Sequence, residues 1–180
     1  MAIVSTALCF FCGPASVADE GPETTSLWSK TADHGGWRPF GNGLEDSETS
    51  GSGVKLIVSW GESKWGVGVV YPDPQAESKP PVPNLSKYRK LRIEMKGEEA
   101  DQTEVTAELA IGEEKEFRAD PKLNKAASNQ WQTLEFRLPE DFPNLTADDL
   151  GRVDTVRILF LKPAGQGRNN LEFRNATLLP

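Results

Sequence analysis

The strongest constraint in this sequence is its alternation. Leu91, Ile93 and Met95 are interleaved with Arg92, Glu94 and Lys96, and Val54, Leu56, Val58 and Trp60 with Lys55, Ile57 and Ser59. A strand sends successive side chains to opposite faces, so an every-second-residue apolar pattern buries one face of a sheet. The pattern recurs at Val105, Ala107, Leu109 and Ile111, at Leu134, Phe136 and Leu138, and at Val156, Ile158 and Phe160. No stretch longer than about ten residues keeps the helical period. Short alternating strands separated by Gly, Pro and Asn predict an all-β, single-domain jelly-roll β-sandwich. A chain of 180 residues is long enough to bury such a core without metals or disulfides.

Read in order, Leu27-Trp28 begins the domain, and Ser29 to Ser52 is rich in Gly, Ser, Asp and Glu and reads as a loop anchored by His34, Trp37, Pro39 and Phe40. Val54–Trp60 and Trp65–Tyr71, joined by Gly61-Glu62-Ser63-Lys64, predict a β-hairpin. Pro72 to Pro83 holds five prolines and predicts a rigid segment outside any ladder. Asn84–Tyr88 is a turn that launches the strand around Ile93. Glu113–Phe117 returns from the strand around Leu109, and Trp131–Leu138 is a further strand. The chain then closes on Asp148–Pro180, where Val153 to Phe160 and Leu171 to Leu178 predict a second hairpin about the loop Lys162–Asn170.

The N-terminus is of another kind. Ala2 to Cys12 is uncharged and apolar, and Ser16 and Ala18 suit the small-residue positions of a signal-peptidase site. Residues 1–18 are therefore expected to be a signal peptide, 19–26 a linker and 27–180 the sandwich, with a secreted or periplasmic destination. Cys9 and Cys12 would leave with the signal. A net charge of -7 argues against nucleic acid, and no later segment is apolar and long enough to insert as a membrane helix.

The segments W-G-V-G-V from Trp65, L-S-K-Y-R-K-L-R-I-E-M-K-G from Leu85, W-Q-T-L-E-F-R-L-P from Trp131, D-L-G-R-V-D-T-V-R-I-L-F from Asp149 and the terminal L-E-F-R-N-A-T-L occur in an order that resembles galactose-binding-like β-sandwiches of the carbohydrate-binding module type. The resemblance spans roughly Leu27 to Leu179. It implies a jelly roll and an oligo- or polysaccharide partner. It also implies a structural calcium held by an acid before an Asn of the last strand. Arg174 stands before Asn175 here, and a guanidinium cannot ligate calcium, so no cofactor is expected, although Glu45, Asp46 and Glu48 offer carboxylates in the early loop.

Sugar recognition needs flat aromatic faces and a few fixed polar groups. Trp37, in a Gly-flanked loop, and Trp65, at a strand start, are the expected platforms, with Tyr71 and Tyr88 behind them. Trp28, Trp60 and Trp131 are expected in the core. Arg92, Glu94 and Arg157 face away from the apolar side of their strands and would form a polar binding face if those strands adjoin. His34 is the only histidine, no nucleophile elbow is present and no acid stands in an apolar setting. The expected function is a non-catalytic, secreted glycan-binding module. The competing reading is a structural or protein-interaction sandwich of the cell envelope, with a protein partner that the sequence does not name.

Overall fold

The computed structural model describes residues 23–28, 36–50, 53–60, 66–97, 104–123, 130–161 and 167–180. The strands in chain order are β1 (Thr25–Ser26), β2 (Arg38–Phe40), β3 (Leu44–Ser50), β4 (Gly53–Trp60), β5 (Gly66–Tyr71), β6 (Lys90–Gly97), β7 (Glu104–Ile111), β8 (Lys115–Arg118), β9 (Lys122–Leu123), β10 (Gln132–Arg137), β11 (Thr155–Leu161) and β12 (Gly167–Leu179). One helical turn, α1 (Ala147–Leu150), precedes β11, and a 3-10 turn, Leu85–Lys87, precedes β6. The strands form two antiparallel sheets. Sheet A runs β10-β6-β12-β4-β3 with β1 also on β12, and sheet B runs β2-β5-β11-β7-β8 with β9 on β7. The molecule is an all-β sandwich, as the alternation requires.

The inner faces meet in one core. From sheet A come Leu56, Val58, Leu91, Ile93, Met95, Phe136 and Phe173, and from sheet B Val67, Val69, Ala107, Leu109, Val156, Ile158 and Phe160, none more than 1% exposed. On β12 the inward positions change parity from Leu171 and Phe173 to Ala176 and Leu178. A bulge between Arg174 and Thr177 supplies the extra residue, and Asn175 takes a φ of 51° there. Both entry turns are capped. Asn84 accepts from the Ser86 N–H at 3.0 Å, and Thr146 and Asp149 form a reciprocal capping box on α1.

Both predicted hairpins are instead crossings between sheets. β4 lies in sheet A and β5 in sheet B, and β11 lies in sheet B while β12 lies in sheet A. Alternation records which face is buried, and two sheets packed face to face about 10 Å apart bury their inner faces alike. The observed hairpins are β3–β4, closing at Ser50 opposite Gly53, and β7–β8, closing at Ile111 opposite Lys115. Residues 38–50, expected as a loop, thus contain two strands. β3 is an edge strand whose acidic sequence blunts further pairing, and that polarity hid it. β1 falls within the expected linker, and β12 begins inside the expected loop, at Gly167. Pro72–Pro83 stays outside the ladders as expected.

Candidate functional site

The sandwich has two outer faces, and the predicted polar residues divide between them. Arg92 and Glu94 are on β6 in sheet A, whereas Arg157 is on β11 in sheet B. These strands do not adjoin, so the single polar face expected from the sequence does not exist.

On sheet A the exposed charges neutralise one another across the ladder. Glu135 takes Arg92 at 2.6 Å and Lys90 at 2.9 Å. Those hydrogen bonds hold the Glu135 carboxyl below its ordinary range. Glu94 accepts from Arg174 Nε at 2.9 Å and Asn175 Nδ2 at 2.8 Å. Lys96 pairs with Glu172 at 2.9 Å. Trp131 is corrected from core to surface: it is half-buried, with the Arg174 guanidinium 3.7 Å from its ring centre and the Lys96 amine at 5.1 Å. Arg174 therefore fills a structural role, bonding Glu94 with its edge and covering Trp131 with its face. Among the described residues no cluster of His, Cys, Asp or Glu is arranged to hold a metal.

Trp37 is also corrected. Its ring is fully buried, donates from Nε1 to the Leu27 carbonyl at 3.1 Å and packs on Phe173 and Tyr71 at 4.9 and 5.2 Å between centres. Gly36, at a φ of 85°, sits directly before it, a backbone shape that favours glycine. A fully buried ring offers no face to a sugar. Tyr71 and Tyr88 are buried too, and burial raises the Tyr71 hydroxyl above its ordinary pKa. Trp65 and His34, and the side chain of Trp60, lie outside the described residues.

Sheet B carries a cleft lined by described residues. It has a volume of about 550 Å³, within the range of small-molecule sites. Register builds its floor: Arg38 of β2 pairs with Val70 of β5, and Val70 with Arg157 of β11. Phe40 lies one step along the same face, opposite Gly68. A Cβ on Gly68 would come within 2.9 Å of the Phe40 ring and 2.6 Å of the Ile158 carbonyl oxygen, so this glycine lets the ring lie on the sheet. Pro72 and Pro74, from the proline-rich segment, form one wall. The opposite wall is the β7–β8 turn, where the Gly112 N–H donates to Asp154 Oδ2 at 2.7 Å.

Arg157 is held from one side. Its Nη1 donates to Glu108 Oε1 and to Glu116 Oε1, the latter at 2.7 Å. Glu108 is 3% exposed and takes Arg118 on its other oxygen at 2.7 Å. Burial works to raise the Glu108 pKa, yet hydrogen bonds from Arg157 and Arg118 win and lower it. Burial likewise opposes the charge on Arg157, and the two carboxylates overcome it and raise its pKa. The result is a fixed guanidinium in a cleft with an aromatic ring beside it. Of the missed residues, Phe40 had a sequence signal: two glycines, Gly66 and Gly68, at alternate positions of one strand mark a face that something approaches closely.

No family model matches the sequence, and no curated protein does. The fold matches solved structures. Family 11 carbohydrate-binding module of a cellulosomal cellulase of Clostridium thermocellum aligns with a TM-score of 0.57 at 15% identity, covering 87% of this chain and 94% of that one. The Clostridium thermocellum family 11 module in complex with a β-1,3-1,4-mixed-linked tetrasaccharide aligns at 0.56 and 14% identity, over 87% and 95%. A family 29 carbohydrate-binding module complexed with cellulohexaose aligns at 0.50 and 16%, over 87% and 89%. The chain shares the β-sandwich fold of these carbohydrate-binding modules.

Proposed function

We propose that this chain is a secreted, non-catalytic glycan-binding protein that takes its ligand in the sheet B cleft. The fold supports glycan binding in general, since the aligned modules bind oligosaccharides. The observation that carries the choice of site is the row Arg38–Val70–Arg157 with the Phe40 ring beside it, lining one cleft. Phe40 gives an apolar surface for the C–H face of a sugar, and Arg157, held by Glu108 and Glu116, gives directional donors for its hydroxyls. Trp65, the residue before β5, remains a proposed platform, while Arg92 and Glu94 have their hydrogen-bonding partners within sheet A.

One observation supports the non-catalytic reading. Glu108, Glu135, Asp141 and Asp149 are all shifted toward the carboxylate, the opposite of what a general acid needs. Secretion rests on the signal-like run before Asp19. The test is affinity against a panel of oligosaccharides for the wild type, Arg157→Ala, Phe40→Ala and Trp65→Ala. Binding by the wild type, weakened at least tenfold in Arg157→Ala and Phe40→Ala, is expected. If no glycan binds, the protein-interaction reading takes its place, and turnover of any panel member would restore an enzyme.

A further inference from the structure

The cleft is electrically lopsided in a way that glycan binding alone does not require. Its cations are Arg38, Lys79 and Arg157, and its acids are Glu113 and Asp154. Arg157 is neutralised by Glu108 and Glu116. Asp154 is engaged on both oxygens, by the Gly112 N–H and by the Thr155 hydroxyl at 2.9 Å. Asp154 keeps its charge with both oxygens occupied, and the charged lining side chains that make no hydrogen bond among the described residues are Arg38, Lys79 and Glu113.

Arg38 has one acid near it, Asp73 at 3.8 Å, beyond hydrogen-bond length. That same oxygen of Asp73 already accepts the Gln75 N–H at 2.8 Å. Lys79 is exposed and pairs with no described group. Arg38 belongs to β2 and Lys79 to the proline-rich segment that follows β5, and both line the cleft, whereas Glu113 sits on the β7–β8 turn across β11. Register puts Arg38 two strands from Arg157, hence about 10 Å away at ordinary strand spacing. That distance spans roughly one sugar ring and its substituents.

We propose that the cleft selects an acidic saccharide, one whose sugar carries a carboxylate or sulfate, and that Arg38 with Lys79 receives the anionic group while Phe40 and Arg157 hold the ring. This rests on the glycan reading above. A guanidinium whose acid stands 3.8 Å away, and which has no hydrogen-bonded acceptor among the described residues, suits a planar carboxylate or a sulfate through paired N–H donors, and a neutral hydroxyl uses only part of that capacity. The net charge of -7 repels a long polyanion at a distance. The selectivity is therefore local, one anionic group per site, with a salt dependence no steeper than one ion pair gives.

The experiment is calorimetric titration of the full chain with an oligogalacturonate, a sulfated galactan oligosaccharide and a neutral galactan oligosaccharide of equal length. It is run on the wild type and on Arg38→Gln/Lys79→Gln, with melting temperatures to confirm folding. The expected result is at least tenfold tighter binding of an acidic oligosaccharide than of the neutral one, with the preference lost in the double variant. Carboxylate over sulfate, or the reverse, identifies the group. Equal or tighter binding of the neutral oligosaccharide, still weakened by Arg157→Ala, would overturn this proposal and leave the glycan reading intact. An acidic preference that survives the double variant would overturn the assignment to Arg38 and Lys79. Failure of every oligosaccharide to bind would remove both.

Discussion

The outer faces of sheets A and B hold similar residues and use them differently. On sheet A, Arg92 meets Glu135, Arg174 meets Glu94 and covers Trp131, and Lys96 meets Glu172. Every one of those donors has its acceptor on a neighbouring strand of the same sheet. On sheet B, Arg157 is fixed on one side by Glu108 and Glu116 while Arg38 faces the cleft without a hydrogen-bonded acceptor among the described residues. Sheet B is walled by the proline-rich segment and the Gly112 turn, and a walled face can hold donors ready for a ligand instead of spending them in cross-strand pairs. Charged residues on a strand therefore say little about binding until their partners are known.

The largest effect should come from the core both faces share. Trp37→Ala should cost about 3–5 kcal/mol of stability, as buried aromatic truncations do, read from urea unfolding. Lost glycan binding at unchanged stability would instead make Trp37 a platform and undo the distinction drawn here. Next comes the buried acid beneath the cleft. Glu108→Ala should destabilise by about 2 kcal/mol, because it strips hydrogen bonds from two arginines. On sheet A, Glu94→Ala should cost less than about 1 kcal/mol. Equal costs would mean that the two faces are built alike.

Asp141 sharpens the comparison at the sheet A edge. Burial acts to raise its pKa, but hydrogen bonds from Lys122 and from the Arg137 backbone and side chain lower it to about 2. A carboxyl depressed in the folded state contributes stability above its unfolded pKa and loses it as pH falls through the folded one. Urea midpoints should therefore fall between about pH 4 and pH 2, and Asp141→Asn should flatten that limb by about 1 kcal/mol after solvent screening. An unchanged acid limb would mean that Asp141 is not held there. Smallest of all, Arg92→Ala should shift stability by a few tenths of a kcal/mol, near ~0.5, and leave glycan affinity unchanged by titration.

Much of the fold was legible in the sequence. Leu91, Ile93 and Met95 announced β6, and Leu134 and Phe136 announced β10, because burial imposes the two-residue period. Which sheet each strand joins was not legible. The Val54–Tyr71 and Val153–Leu178 pairs look like hairpins since a crossing and a hairpin bury the same parity. β3 escaped because an edge strand needs few apolar residues.

The site was half legible. Arg157 was read as outward-facing, and it meets Glu108 across adjoining strands of sheet B. Arg92 and Glu94 share that outward phase, yet they belong to the other sheet. Trp131 could have been read correctly, for it is out of phase with Leu134, Phe136 and Leu138. Trp37 could not: a Gly-flanked tryptophan reads as exposed until Gly36 is seen turning the chain back into the core.

The central claim is that ligand meets sheet B and leaves sheet A alone. Amide chemical-shift mapping of the full chain, titrated with an oligosaccharide that binds, tests it most directly. The account predicts shifts concentrated on β2, β5, β11 and the Pro72–Pro83 segment, with side-chain signals of Arg38 and Arg157 moving and those of Arg92 and Trp131 still. Shifts centred on β6, β10 and β12 would contradict it.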